Sequence, residues 1–406
     1  MRTFDVPKHY RSPLITKLKE KRREADRMKK DFEPSVLDFG PIQIILARHF
    51  GFCYGVENAI EIAFRAVFEN PDKKVYLLSE MIHNPQVNQD LIAEGVEFIM
   101  DTSGNQIIPW DQIKEDDIVI IPAFGTTVEI ENKLIEKKIQ PKQYNTTCPF
   151  VEKVWNRSES IGKDGYSIIV HGKPKHEETR ATFSHSREHT ATVIVRDMEQ
   201  TQRLAKYITK ELPPEKFYKE FEGQYSEGFD VEKDLQRIGV VNQTTMLASD
   251  TQGIAEYLKQ VMIDHYNLSA EDIKKHFADT RDTLCYATND NQSAVNGMLE
   301  MDADLALVIG GYNSSNTSHL VELFESKLPT YFINNEASIL SDELISHYLL
   351  DEKKIVETKN FLPKHRPLKV MITSGASCPD ALVEEVMIKL LHLTGITEDL
   401  ETFPLV

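Results

Sequence analysis

The chain runs to 406 residues, 41% of them hydrophobic and 9% aromatic, enough for two or three ordinary domains with a sizeable core. Its formal net charge of −17 excludes general nucleic-acid binding, which needs a basic face, and no apolar run approaches the roughly 18 residues of a membrane span. Four widely spaced cysteines make no disulfide framework for so large a protein, so reduced thiols used for metal or chemistry are expected.

Residues 1–40 differ from the rest, with eleven Lys or Arg against seven Asp or Glu. The run KLKEKRREADRMKK (17–30) predicts a solvated, charged helix. Its acids and lack of serine argue against an organelle transit peptide, and the N-terminus has no apolar signal-peptide centre, so a cytoplasmic protein is expected. From IQIILARHF (42–50) onward the pattern is α/β. Short β-branched strands follow at VYLL (75–78), DIVIIP (117–122), SIIVHG (167–172), IGVV (238–241), LALVIGG (305–311) and KVMIT (369–373). Between them, ENAIEIAFRAVFEN (57–70) and DALVEEVMIKLLHL (380–393) carry apolar residues at helical spacing. Residues 205–235, polar and rich in charge and aromatics, read as a surface insertion.

Three stretches share one plan. Each has a cysteine, then a polar cluster after an apolar strand, then a second strand ending in small hydroxyls. The first runs from Cys53 through His83 to Thr127, the second from Cys148 through His176 to Thr245, and the third from Cys285 through Ser315 to Ser377. Cysteine and cluster are separated by 30, 28 and 30 residues. A threefold βαβ-sized repeat brings three thiolates and three polar clusters to one centre. The expected organisation is a charged extension (1–40) and three α/β repeats at 41–147, 148–282 and 283–406, the last with a C-terminal tail.

Cys53, Cys148 and Cys285 each fall at a loop-to-helix transition, where a helix N-terminus favours negative charge, and Pro149 suits the first turn of a helix. A lone cysteine reads as a small core hydrophobe; three at matching repeat positions read as ligands. Cys378 aligns instead with Val128 and Met246, both apolar, which marks it as packing. Three thiolates without an evident fourth ligand suit a [4Fe–4S] cluster with one open iron, and equally a zinc site completed by water. His83, His176 and the Ser314–Ser315–Asn316 cluster follow strand ends, where α/β folds collect ligands. With Thr244, Thr245 and Ser377 they form a set of histidines, hydroxyls and an amide suited to phosphate or diphosphate. Glu178 lies on the segment expected to face the centre, where an acid could protonate a leaving oxygen; Glu177 points elsewhere if that segment is extended. The glycines around Cys53 lack dinucleotide-site spacing.

The segments GFCYGVENAI, TTCPFVEKV, HGKPKHEET, NQTT, LCYATNDNQ, GGYNSSNTSHL and GASCPDALVEEV, in that order over about residues 41–395, together resemble the LytB-type 4-hydroxy-3-methylbut-2-enyl diphosphate reductases. The resemblance implies an α/β fold of three pseudo-equivalent domains in a trefoil around one central [4Fe–4S] cluster. It implies reductive removal of a hydroxyl from an allylic diphosphate, the last step of the methylerythritol phosphate route to isoprenoids, giving isopentenyl and dimethylallyl diphosphates. By motif, Cys53, Cys148 and Cys285 correspond to cluster ligands. His83, His176, Thr244, Ser314, Ser315, Asn316 and Ser377 correspond to substrate contacts, and Glu178 to the proton donor. Phe124 stands where many members carry a diphosphate-contacting histidine, so that contact is not transferred. This departure and the N-terminal extension resemble the longer plant and cyanobacterial branch.

The expected partners are the isoprenoid diphosphate and an external one-electron carrier, ferredoxin or flavodoxin, with segment 17–30 as a docking surface. The chain is expected as a monomer or homodimer. Two other readings predict different behaviour: a cluster-dependent dehydratase turns over without an electron donor, and a metal or cluster sensor has no use for Glu178.

Overall fold

The computed structural model describes residues 4–28, 30–269, 271–278 and 283–397. Lys29 of the basic run, the boundary expected at 282/283 and the tail beyond 397 lie outside them. The chain forms two compact units. One gathers the chain up to Glu61, Ile82–Val87 and the chain from Tyr286 onward; the other gathers Ile62–Met81 and Asn88–Cys285.

The first unit holds a seven-stranded sheet with spatial order Ser35–Asp38, Ile42–Leu46, Leu368–Ser374, Leu305–Ile309, Thr330–Ile333, Leu344–Leu349 and Lys354–Lys359. The four middle strands pair in parallel. Strands such as Leu305–Ile309 are buried at every position, as a parallel sheet covered by helices requires. Ser35–Asp38, Leu344–Leu349 and Lys354–Lys359 add antiparallel edges, and the outermost carries lysines and a glutamate, which discourages further pairing. Helices Tyr286–Met298, Ser315–Glu325 and Asp380–Leu393 contribute Val295, Phe324 and Val386 to this core.

The charged run does not stand free in solvent. Its helix begins earlier, at Pro13, with Ser12 capping through its hydroxyl and proline at the first position. Leu14, Ile15 and Leu18 enter the core of the first unit. Arg22 is buried too, donating to the carbonyls of Leu46, Ala47 and Arg48 at the end of the strand Ile42–Leu46. Burial, helped by Arg48, lowers its pKa to about 10. Lys19 reaches the Phe50 carbonyl and the Asp380 carboxylate at 2.9 and 2.7 Å. A single buried face on a helix otherwise rich in Lys, Arg and Glu is why composition alone reads it as solvated.

The second unit contains two three-stranded parallel sheets. One has Val75–Leu77 between Glu97–Phe98 and Ile118–Ile120, the other Ser167–His171 between Thr192–Val195 and Ile238–Asn242. Residues 205–235 are more than a surface insertion. Phe217, Phe221 and Phe229 are buried and stack on one another at 4.8 and 5.3 Å between ring centroids. Tyr225 bridges Val193 antiparallel, and Gln224 and Ser226 bond the backbone beside it, so the segment seals the edge of the second sheet. Phe217→Ala is therefore expected to cost about 3–5 kcal/mol in urea unfolding. A loss within about 0.5 kcal/mol, typical of surface substitutions, would contradict this packing role.

Candidate functional site

Each of Cys53, Cys148 and Cys285 is the residue immediately before a helix, the helices being Tyr54–Glu69, Pro149–Lys163 and Tyr286–Met298. All three are half-buried free thiols. Their backbone amides are anchored alike. Cys53 N–H donates to the Ala376 carbonyl at 3.2 Å, Cys148 N–H to Ala123 at 3.0 Å and Cys285 N–H to Thr244 at 3.1 Å. Every acceptor lies just past the end of a parallel strand, these strands being Leu368–Ser374, Ile118–Ile120 and Ile238–Asn242. The chain entering each cysteine also runs parallel beside that strand: Ile42–Leu46 beside Leu368–Ser374, Asn145 against Ile121, and Phe277 against Ile238. Pairing thus hands each cysteine to the carboxyl end of another strand, which the spacing of cysteines and clusters does not reveal.

In the first unit, Ser377 Oγ donates to the His83 carbonyl at 3.2 Å. Ser314 caps the helix Ser315–Glu325, its hydroxyl accepting from Thr317 N–H and Oγ–H. Asn316, in the first turn, is a brace: its Oδ1 accepts from Ala376 N–H at 3.0 Å and its Nδ2 donates to Thr288 Oγ1 at 3.3 Å. His83, Ser314, Ser315, Asn316 and Ser377 are all buried. Gly311 makes the approach of His83 possible, because a Cβ there would lie 2.3 Å from the His83 carbonyl oxygen. Gly311→Ala should cost about 1–3 kcal/mol in chemical denaturation; an unchanged midpoint would show that the His83 segment yields freely.

In the second unit, His176 caps the helix Glu177–Arg187, its Nδ1 accepting from Glu178 N–H at 3.2 Å. The Glu178 carboxylate, 2% exposed, is gripped twice by Thr244: Oε1 accepts from its backbone N–H at 2.5 Å and Oε2 from its hydroxyl at 3.0 Å. Glu177 does turn elsewhere, to the Ser79 hydroxyl at 2.6 Å, but from the first turn of a helix and not from an extended segment. Phe124 packs edge-on against the His176 ring at 5.6 Å, so the residue at the departing position supports the histidine by contact. The Thr245 hydroxyl accepts from Gln243 Nε2.

Burial pushes the Cys148 thiol up to about 11. The helix amides at Phe150 and Val151 pull it down, while Cys285 and Glu178 add to the rise. Desolvation therefore outweighs the helix N-terminus expected to favour thiolate there. Cys378 is fully buried in the hydrophobic core, and burial raises its thiol as well. Among the described residues, no group of three His, Cys, Asp or Glu side chains stands ready to hold a metal ion. The donor chemistry nonetheless fits a thiophilic iron–sulfur group: three reduced thiols, each at a helix start and each with its amide fixed by a neighbouring strand end. Two tyrosines escape the motif reading. Tyr54 N–H donates to the Tyr286 hydroxyl at 2.9 Å, and the signal was the Cys-Tyr dipeptide occurring at both 53–54 and 285–286.

The family model described as LytB protein matches residues 44–391. The chain is 38% identical over 382 residues to the 4-hydroxy-3-methylbut-2-enyl diphosphate reductase of Picosynechococcus sp., covering 94% of this chain and 89% of that one. It is 40% identical over 361 residues to the enzyme of the same name from Prochlorococcus marinus, covering 88% and 86%. Among solved structures, the (E)-4-hydroxy-3-methyl-but-2-enyl diphosphate reductase described as the terminal enzyme of the non-mevalonate pathway matches with a TM-score of 0.51 at 25% identity, covering 86% of this chain and 99% of that one. The E-1-hydroxy-2-methyl-but-2-enyl-4-diphosphate reductase of Plasmodium falciparum shares the fold with a TM-score of 0.60 at 23% identity, covering 86% and 87%. Among the described residues, no helix is long and apolar enough to cross a membrane.

Proposed function

This chain belongs to the LytB family, and we propose that it reductively dehydroxylates 4-hydroxy-3-methylbut-2-enyl diphosphate to isopentenyl and dimethylallyl diphosphates. One observation carries the reading: three cysteines anchored in the same way at three strand ends, with a buried carboxyl fixed by Thr244 beside the anchor of Cys285. Cys53, Cys148 and Cys285 are the ligands of one [4Fe–4S] cluster in this proposal, within three α/β repeats at 41–147, 148–282 and 283–406. Once bound, that cluster supplies electrons and a Lewis-acidic iron for the substrate hydroxyl.

The remaining roles fall to the chain itself. Glu178 delivers a proton to the departing oxygen, and Thr244, donating to both carboxyl oxygens, fixes the orientation of the group. The hydroxyls of Ser314, Ser315 and Ser377, the Asn316 amide, Thr244 and the rings of His83 and His176 are the contacts to the substrate's diphosphate or hydroxyl. The net reaction consumes two electrons and two protons and releases water. An external one-electron carrier, a ferredoxin or flavodoxin, delivers the electrons. The enzyme works in the cytoplasm as a monomer or homodimer.

Product analysis by mass spectrometry, with and without a low-potential reductant, tests the proposal. Formation of both five-carbon diphosphates only when reductant is present supports it. Equal turnover without reductant would overturn it in favour of a dehydratase.

A further inference from the structure

Two residues before each cysteine, the chain is clamped to the end of the parallel strand it runs beside, and in two of the three clamps the buried side chain is the strand's own last residue. Asn242, the last residue of Ile238–Asn242, accepts from Thr283 N–H at 3.0 Å and from Thr283 Oγ–H at 2.6 Å, both on Oδ1. The Asn242 backbone N–H in turn donates to Thr283 Oγ1 at 3.0 Å. Ser374, the last residue of Leu368–Ser374, accepts from Gly51 N–H at 3.1 Å through its hydroxyl. At Cys148 the clamp is inverted: Thr146 donates through both N–H and Oγ–H to the Ile121 carbonyl, at 3.0 and 2.6 Å. Asn242, Ser374 and Thr146 are 1%, 0% and 0% exposed. A buried amide or hydroxyl at the end of an otherwise apolar strand is costly unless it is bonded. Here each is bonded to the position that decides where the following thiol sits.

We propose that Asn242 and Ser374 are positioning residues for Cys285 and Cys53, fixing the reach of each thiol through the residue two places before it. The inference rests on the cysteines being the cluster ligands. Metal sites depend on such supporting bonds, whose loss typically weakens metal retention about 10–100-fold. Neither residue is among the proposed ligands, so their effect is read on the cluster and not only on turnover.

The test uses the full chain, reconstituted anaerobically with iron and sulfide. Iron release to a chelator, the electron paramagnetic resonance spectrum of the dithionite-reduced protein and apo-protein unfolding are compared for Thr283→Val, Thr283→Ser, Asn242→Ala and Ser374→Ala. Thr283→Val keeps the size and the Thr283 N–H bond to Asn242 but removes the bonds made through Oγ1, so it reports the clamp even if Asn242→Ala folds poorly. The expected result is iron release about 10-fold faster with an altered spectrum for Thr283→Val and Ser374→Ala, and a parental rate for Thr283→Ser. Parental release and an unchanged spectrum in both would overturn the inference while leaving the cluster reading intact. A parent chain that takes up no cluster would overturn the cluster reading, and this inference with it.

Discussion

Glu178→Gln is expected to lower the turnover number by about 10²–10⁴-fold, the usual contribution of a positioned general acid, with substrate affinity and iron content little changed. The geometry makes this substitution informative. A glutamine carbonyl oxygen can still accept from the Thr244 amide, and its NH₂ can donate to the Thr244 hydroxyl where Oε2 now accepts. Shape and hydrogen bonding survive, and only the transferable proton is lost. Steady-state kinetics with a reduced dye, calorimetric substrate binding and iron analysis separate the effects. A turnover number within threefold of the parent would remove Glu178 from the mechanism, and a loss confined to binding would make it a structural support for Thr244.

Cys285→Ser and Cys378→Ala should diverge. The first is expected to lose most of its iron after reconstitution, because a serine oxygen is a poor substitute for a thiolate on iron. The second removes a sulfur buried in the core of the first unit. It should cost about 1 kcal/mol of stability, yet retain iron at the parental level. Iron per chain and urea midpoints measured on both variants decide the matter. Equal iron loss in both would sink the three-ligand assignment.

The strands were legible because a parallel strand buried on both faces is a short β-branched run, and VYLL, SIIVHG and LALVIGG each became one. The helices at 54–69 and 380–393 were legible by apolar spacing, and Pro149 opens its helix as its fixed backbone angle predicts. The deep burial of Cys378 agrees with the repeat register. Three things were hidden, for different reasons. The helix from Pro13 looked solvated because one of its buried residues is an arginine, which is acceptable inside only because three strand-end carbonyls receive it. Residues 205–235 looked like surface because Lys and Glu outnumber the phenylalanines that form its core. The hand-over of each cysteine-bearing segment to the end of another strand was hidden because parallel pairing between separated segments leaves no local mark. Glu178 could be singled out from the motif, but its double bond to Thr244 could not, since 66 residues separate the two.

The most direct test of the central claim is a stoichiometry. Anaerobic protein that demonstrably holds four irons and four sulfides is mixed with reduced viologen and a measured amount of 4-hydroxy-3-methylbut-2-enyl diphosphate. Two equivalents of dye oxidised per substrate consumed, with isopentenyl and dimethylallyl diphosphates accounting for the product, is the predicted result. Substrate consumed without dye oxidation, or no reaction at all by the loaded protein, would contradict it.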